Sequence, residues 1–158
     1  MSDPALAPAI TFTAVESKRK IDLADVRVPT VLMLVSQATS EAVDPIVEAV
    51  RGKYPDIGQV LTATAVDLRS VPRLVRKVAE TMLSARYKQR AAALEPGRDP
   101  REWVVIIPDW DAKAMKALGI EDVSQQLAVA VLAPGGKLVG TYQGAGAPAA
   151  VLEMLARA

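Results

Sequence analysis

Apolar positions recur along the chain in two rhythms, and their alternation outlines a fold. Ile10 to Val15 alternates with period two and reads as a short edge strand, followed by a charged turn from Glu16 to Lys20. Val31 to Val35 is continuously apolar behind Pro29, the pattern of a central strand covered on both faces. Val43, Ile46, Val47, Val50 and Tyr54 then recur at helical spacing, with Ser40 as the expected cap and Pro55 as the stop. Gln59 to Asp67, rich in Val and Thr, reads as a second strand, and Ser70 with Pro72 opens another helix. Such a strand-helix-strand unit is right-handed and parallel, so the loops after Val35 and Val66 leave the sheet at the same edge.

The next helix is expected to run from Val71 to Ala93, about 35 Å at 1.5 Å per residue. Val71, Leu74, Val75, Val78 and Met82 form its first apolar face, continued by Leu83, Tyr87, Ala91 and Leu94 before Pro96-Gly97. A typical strand covers roughly 17 to 20 Å, so the second half of this helix should overhang the sheet. Trp103 to Pro108 reads as a third buried strand, and Asp109 or Asp111 can cap a short helix closed by Gly119. Leu127 to Ala133 and Lys137 to Gln143 flank Pro134-Gly135-Gly136 as a hairpin with a type II turn. Pro148 opens a terminal helix with Val151, Leu152 and Leu155 facing inward. The expected architecture is a three-layer α/β sandwich with a mixed central sheet, helices on both faces and a C-terminal hairpin plus helix. A single domain over residues 1–158 is expected, with residues 1–9 loose.

Composition removes more chemistry than it suggests. The 158 residues are 51% hydrophobic and 23% charged, enough to build a core without staples. There is no cysteine and no histidine, which excludes thiol redox chemistry, the usual zinc sites, Ser-His catalysis and imidazole acid-base work. No catalytic residue, cofactor or metal is therefore assigned. A net charge of +1 gives no global case for binding nucleic acid or membrane. The first ten residues lack a basic start and an apolar stretch, and the expected location is cytoplasmic. Charge is uneven, however: Arg69 to Arg101 carries a net +6 against −5 for the remainder. With Tyr87 its only aromatic, that segment suits a solvated face or an acidic partner better than a nucleic acid.

The strand and turn from Val31 to Pro45, the strand ending in Pro108-Asp109-Trp110-Asp111, and the hairpin Ala133-Pro134-Gly135-Gly136-Lys137 resemble a thioredoxin-like protein of the redoxin and peroxiredoxin branch, from Ile10 to Ala158. With Pro45 taken as the family's helix proline, the resemblance places Ser36 at the tryptophan of the Trp-Cys-Pro-Pro-Cys turn, and Gln37 and Ser40 at its cysteines. Leu127 occupies the position of the family's cis-proline. A cis bond before a non-proline residue costs about 2.5 to 4 kcal/mol, so a trans peptide is expected there. With the thiols and the substrate-side proline both replaced, the resemblance implies a fold without its redox function.

Two functions remain open. The first is a protein-interaction, assembly or regulatory module, binding a protein partner or a second copy of itself through Met82, Leu83, Tyr87, Ala91 and Leu94. The second is a small-ligand or anion-binding protein, or a non-thiol enzyme, using Ser36, Gln37, Thr39 and Ser40 at a helix start. Asp67, Arg69, Asp109 and Asp111 lie near the same strand ends. Asp109 and Asp111 stand where a hard cation would be held, but Asp at a helix entry is first of all a cap, and Trp103 and Trp110 read as packing residues. A ligand protein should show a pocket near Ser36, Gln37 and Asp109; an interaction module should show a closed edge and an apolar patch on the Met82 to Leu94 side.

Overall fold

β3 (Thr30–Val35) lies at the middle of a five-stranded sheet, and all of its residues are buried. Pleating sends Leu32 and Leu34 into one apolar cluster and Val31, Met33 and Val35 into another, so this one strand seeds the cores on both faces. The computed structural model describes residues 9–158. Residues 1–8, on which most of the expected loose start falls, lie outside the described residues.

The remaining strands are β1 (Thr11–Thr13), β2 (Lys20–Asp22), β4 (Leu61–Asp67), β5 (Ile106–Asp109), β6 (Ala128–Ala133) and β7 (Lys137–Gln143). The helices are α1 (Val43–Lys53), α2 (Arg76–Ala92), α3 (Pro100–Trp103), α4 (Lys113–Leu118) and α5 (Ala147–Leu155). The sheet order is β5-β4-β3-β6-β7. β4 runs parallel to both β3 and β5, whereas β6 pairs antiparallel with β3 and β7. Parallel pairing brings Val35 opposite Val66 and Asp67 opposite Asp109, so the loops after β3, β4 and β5 open at one edge. Ile46 and Val50 of α1 and Val151 and Met154 of α5 fill one face, where partly buried Leu83 and Tyr87 of α2 also pack. The other face is covered by Met115 of α4 and by Phe12, Ile21 and Leu23 from the β1–β2 hairpin and the turn after it.

Three expectations are corrected. Ile10–Val15 contains a strand only over Thr11–Thr13, and this pairs with β2 in a separate two-stranded sheet, joined to the main one where Val15 N–H donates to the Ile106 carbonyl at 2.9 Å. β2 falls partly in the expected charged turn, because the reversal is made by Glu16 and Lys18 at positive φ, without the glycine that marks such turns. The strand expected from Trp103 begins only at Ile106. Pro100 follows Asp99, whose carboxylate accepts from Arg101 N–H at 3.0 Å, and this capped turn makes Trp103 helical. Trp103 there stacks under Arg98 at 4.0 Å and Arg51 at 4.8 Å. Burial first, and Arg98 second, lower the pKa of the Arg51 guanidinium.

The long helix is also shorter than expected. Arg73–Val75 is a 3-10 turn, and α2 proper has 17 residues, about 25 Å, close to the roughly 23 Å of β4. The supposed overhang disappears. Its first apolar face points outward: Leu74 is 97% exposed, Val78 60% and Met82 51%. The reason is geometric. Val78 and Leu83 are five positions apart, about 140° around a helix of 3.6 residues per turn, so packing Leu83 and Tyr87 inward turns Val78 to solvent.

The hairpin matches its expectation closely. Gly136 N–H donates to the Ala133 carbonyl at 3.0 Å across Pro134 and Gly135, whose φ of 89° is that of a type II turn. Gly136, at φ 84°, lies so near the segment after β2 that an added Cβ would stand 2.6 Å from backbone atoms of Ala24. Gly135 has the same left-handed φ but nothing within 4 Å of an added Cβ. Gly135→Ala is therefore expected to cost about 1–2 kcal/mol, and Gly136→Ala clearly more. Urea unfolding of the two variants measures the difference, and equal losses would contradict the close approach.

Candidate functional site

The edge after β3 is a turn sealed by its own hydrogen bonds. Thr39 Oγ1 accepts from Ser36 N–H at 2.9 Å, lies 3.2 Å from Ser36 Oγ and donates to the Val123 carbonyl at 2.9 Å. Ser40 Oγ donates to the Gln37 carbonyl at 3.1 Å, and Ser40–Ala42 forms a 3-10 turn before α1 starts at Val43. Ser40 is thus not the helix cap: the residue preceding α1 is Ala42, and no side chain caps it. Of the four residues named for ligand binding, Ser36 and Thr39 are spent on holding the turn to the chain before β6. Gln37 and Ser40 instead face a cleft beside α2.

The cleft has a volume of about 490 Å³. Val66 and Ile106 of the sheet, Val43 of α1 and Leu68 line it, and α2 contributes Ala79, Met82, Leu83, Arg86 and Arg90. Two arginine bonds span it. Arg86 Nη2 donates to Ser40 Oγ at 3.0 Å, and Arg90 Nη1 lies 3.0 Å from Asp44 Oδ1 on α1. Ala79, Leu83, Arg86 and Arg90 follow one another at four, three and four positions and share one side of the helix, with Met82 at its border. α2 itself has no buried residue; it is held by partly buried Leu83 and Tyr87, by these two arginines, and by Leu94 beyond its end.

The stripe expected to make contacts is therefore divided. Leu83, Tyr87 and Leu94 lean on their own core, and Ala91 is half-buried. Burial first, then Asp99, raises the Tyr87 phenol above its usual pKa. Met82 remains exposed, and its apolar neighbours in solvent are Leu74, Val75 and Val78. Arg86 and Arg90 belong to the basic segment expected to be solvated or to meet an acidic partner, but they bond within the chain, to Ser40 and Asp44. Their spacing with Leu83 and Tyr87 was the available signal, since it places two cations within the inward stripe.

The acidic residues near the strand ends serve the backbone. Asp109, 3% exposed, accepts from Lys113 N–H at 2.8 Å and Ala114 N–H at 3.0 Å, so its carboxylate caps the first turn of α4 as expected although Ala112, at φ 53°, is the residue that precedes the helix, which Gly119 closes at φ 73°. Burial, before any neighbouring charge, raises its pKa, while the two N–H donors pull it down. Asp67 is engaged with Arg69, 3.2 Å away, and Arg69 also donates to the Glu121 carbonyl at 2.7 Å. Asp111 is exposed, and among the described residues no group of carboxylates is arranged to hold a metal. Trp110 packs against the core, with Arg76 5.0 Å above its ring. On the far side of the turn, Thr39, Gln126 and Leu127 line a second, shallower depression. All described peptide bonds, the one before Leu127 included, are trans.

No family model matches the chain, and no curated protein matches it. Solved structures do. StoA from Bacillus subtilis superposes with a TM-score of 0.62 at 16% identity, over 96% of this chain and 98% of that one. A thiol-disulfide oxidoreductase from Bacteroides fragilis gives 0.62 at 14% identity, over 96% and 99%. The exposed lipoprotein thioredoxin of Streptococcus pneumoniae gives 0.59 at 15%, over 94% and 98%. At these identities the likeness concerns the fold, and the fold is thioredoxin-like, in a chain with no cysteine.

Two results are expected. Asp109→Ala should lose about 1–2 kcal/mol with its cap. The pH dependence has a definite sign: a carboxyl whose pKa is raised on folding stabilises the protein most when protonated, and that contribution fades as pH rises from the usual aspartate range through the raised value. Asp109→Asn should abolish this part of the pH slope in urea unfolding; an unchanged slope would mean that Asp109 is not its source. Gln37→Cys with Ser40→Cys should yield a dithiol that closes under mild air oxidation, because the Ser40 side chain already turns back onto the Gln37 backbone. Thiol titration showing both sulfurs still free would refute the placement of this turn at the family's redox motif.

Proposed function

We propose that this chain is a redox-inactive thioredoxin-like domain that works by binding a protein partner through the outer face of α2. The observation that supports this reading most is the exposed apolar strip made by Leu74 and Val75 of the 3-10 turn and Val78 and Met82 of α2, a helix that buries none of its own residues. A thiolate is the nucleophile of thiol-disulfide exchange, and no residue here supplies one. Binding is the activity that such a surface can still offer.

Charge selects the partner's character. Arg73 and Lys77 are exposed on the same turns as Leu74 and Val78, with Arg76 beside them, and Glu80 is the acidic residue of this stretch. A symmetric dimer through this strip would set those cations against their own copies, which argues against the self-association expected from sequence. The fitting occupant is a segment of another protein that presents apolar side chains flanked by carboxylates, most simply an amphipathic helix laid along α2.

A random peptide library displayed on phage and selected on the pure protein tests this. Enriched sequences should pair apolar residues at helical spacing with Asp or Glu, bind more weakly as salt rises, and lose about tenfold or more in affinity to Val78→Glu. Peptides without acidic bias, or binding unaffected by Val78→Glu, would overturn the reading. So would sedimentation showing a dimer of the wild type that Val78→Glu dissociates, since the strip would then join two copies of this chain.

A further inference from the structure

The cleft beneath α2 shares only Met82 with the outer strip, since Leu74, Val75 and Val78 do not line it, and it calls for its own occupant. It is an open cleft, with exposed Gln37, Glu41 and Met82 in its lining, and its volume of about 490 Å³ falls within the roughly 300–1,000 Å³ typical of small-molecule sites. Its walls are chiefly aliphatic, so water filling it would find few partners along most of its length. Gln37, Ser40 and Arg86 line it together, with Arg86 bonded to Ser40, and Thr64 and Arg90 are the other uncharged or paired polar groups of the lining.

Arg86 is the distinctive group there. It is half-buried, and its one hydrogen bond among the described residues goes to a neutral hydroxyl, Ser40 Oγ. A guanidinium carries five N–H donors in a planar fork suited to a carboxylate. Its neighbour Arg90 differs in being paired with Asp44. Glu41 also lines the cleft but is exposed, so water solvates its charge. We propose that the cleft binds an amphipathic carboxylate, an acyl or aryl acid whose apolar body lies along Val43, Val66 and Ile106 and whose carboxylate is clasped by Arg86 beside Gln37 and Ser40. The replaced redox turn then acts as one wall of a ligand site, with Ser40 orienting the arginine. Ala79, the smallest α2 residue in the lining, leaves the space that the body occupies.

The probe is decanoate, compared with decanol of equal chain length by titration calorimetry and by methyl NMR of the full chain. Decanoate should bind saturably, shift the Ile106 and Val66 methyl signals, and bind about tenfold or more tightly than decanol, the advantage of a charge-assisted pair over a neutral one. Arg86→Gln should bring decanoate down to the level of decanol, while Ala79→Phe should weaken both by filling the cleft; circular dichroism checks that each variant is folded. Should Ala79→Phe fail to fold, the Ile106 and Val66 shifts in the wild type locate the ligand. Val78→Glu should leave decanoate binding unchanged, so the site stands or falls separately from peptide docking on the outer strip. The proposal is overturned by absence of saturable binding, by equal affinity for acid and alcohol, by indifference to Arg86→Gln, or by shifts confined to Leu74, Val75 and Val78.

Discussion

The structure depends on β3 being apolar on both sides. A strand that alternated apolar and polar residues would face water on one side and carry one core. Here Leu32 and Leu34 anchor one cluster while Val31, Met33 and Val35 anchor the other. The same strand holds β4 in parallel and β6 in antiparallel register, so a one-residue slip would exchange the two sets of side chains and spoil both cores at once. Every element near the site is placed with respect to this register, including the turn that leaves β3 at Ser36.

That turn is held by its own side chains. A helix start beside a strand end offers unpaired N–H groups that a thiolate, or an anion, can exploit. In this chain Thr39 and Ser36 satisfy each other and tie the turn to Val123, while Ser40 is directed toward Arg86. Such a network makes the turn rigid and stable without a ligand, and it moves the remaining polar capacity sideways, from the helix start to the cleft under α2.

What was legible in the sequence follows the strength of the local signal. β3, β4, the β6–β7 hairpin and the α4 cap could be read because each rests on residues with one dominant meaning: a continuous aliphatic run, a Pro-Gly-Gly turn, an Asp before a helix. β2 could not, since three residues reversed by non-glycine left-handed turns leave no punctuation. Trp103 misled because an aromatic before Val-Val-Ile-Ile favours a strand until the Asp99-Pro100 cap is noticed. At the site, the sequence supplied the turn and its missing thiols but not the cleft, which is made by packing between elements far apart in the chain.

The facing of α2 is where local pattern and tertiary packing part most clearly. Two apolar stripes, one through Leu74 and Val78 and one through Leu83 and Tyr87, lie on different sides of the same helix, and a sheet can receive only one of them. The inward stripe is the one interrupted by Arg86 and Arg90, which by hydrophobicity alone is the poorer choice. What decides it is the set of partners: Ser40 and Asp44 stand opposite the two guanidiniums, and Leu83, Tyr87 and Leu94 supply the apolar contact between and beyond them. Turning the helix to bury Leu74 and Val78 would break both arginine bonds and expose the second stripe instead. The helix therefore packs inward through Leu83 and Tyr87 with two arginines among them, while Val78 and Met82 are left among the charged residues of its exposed side.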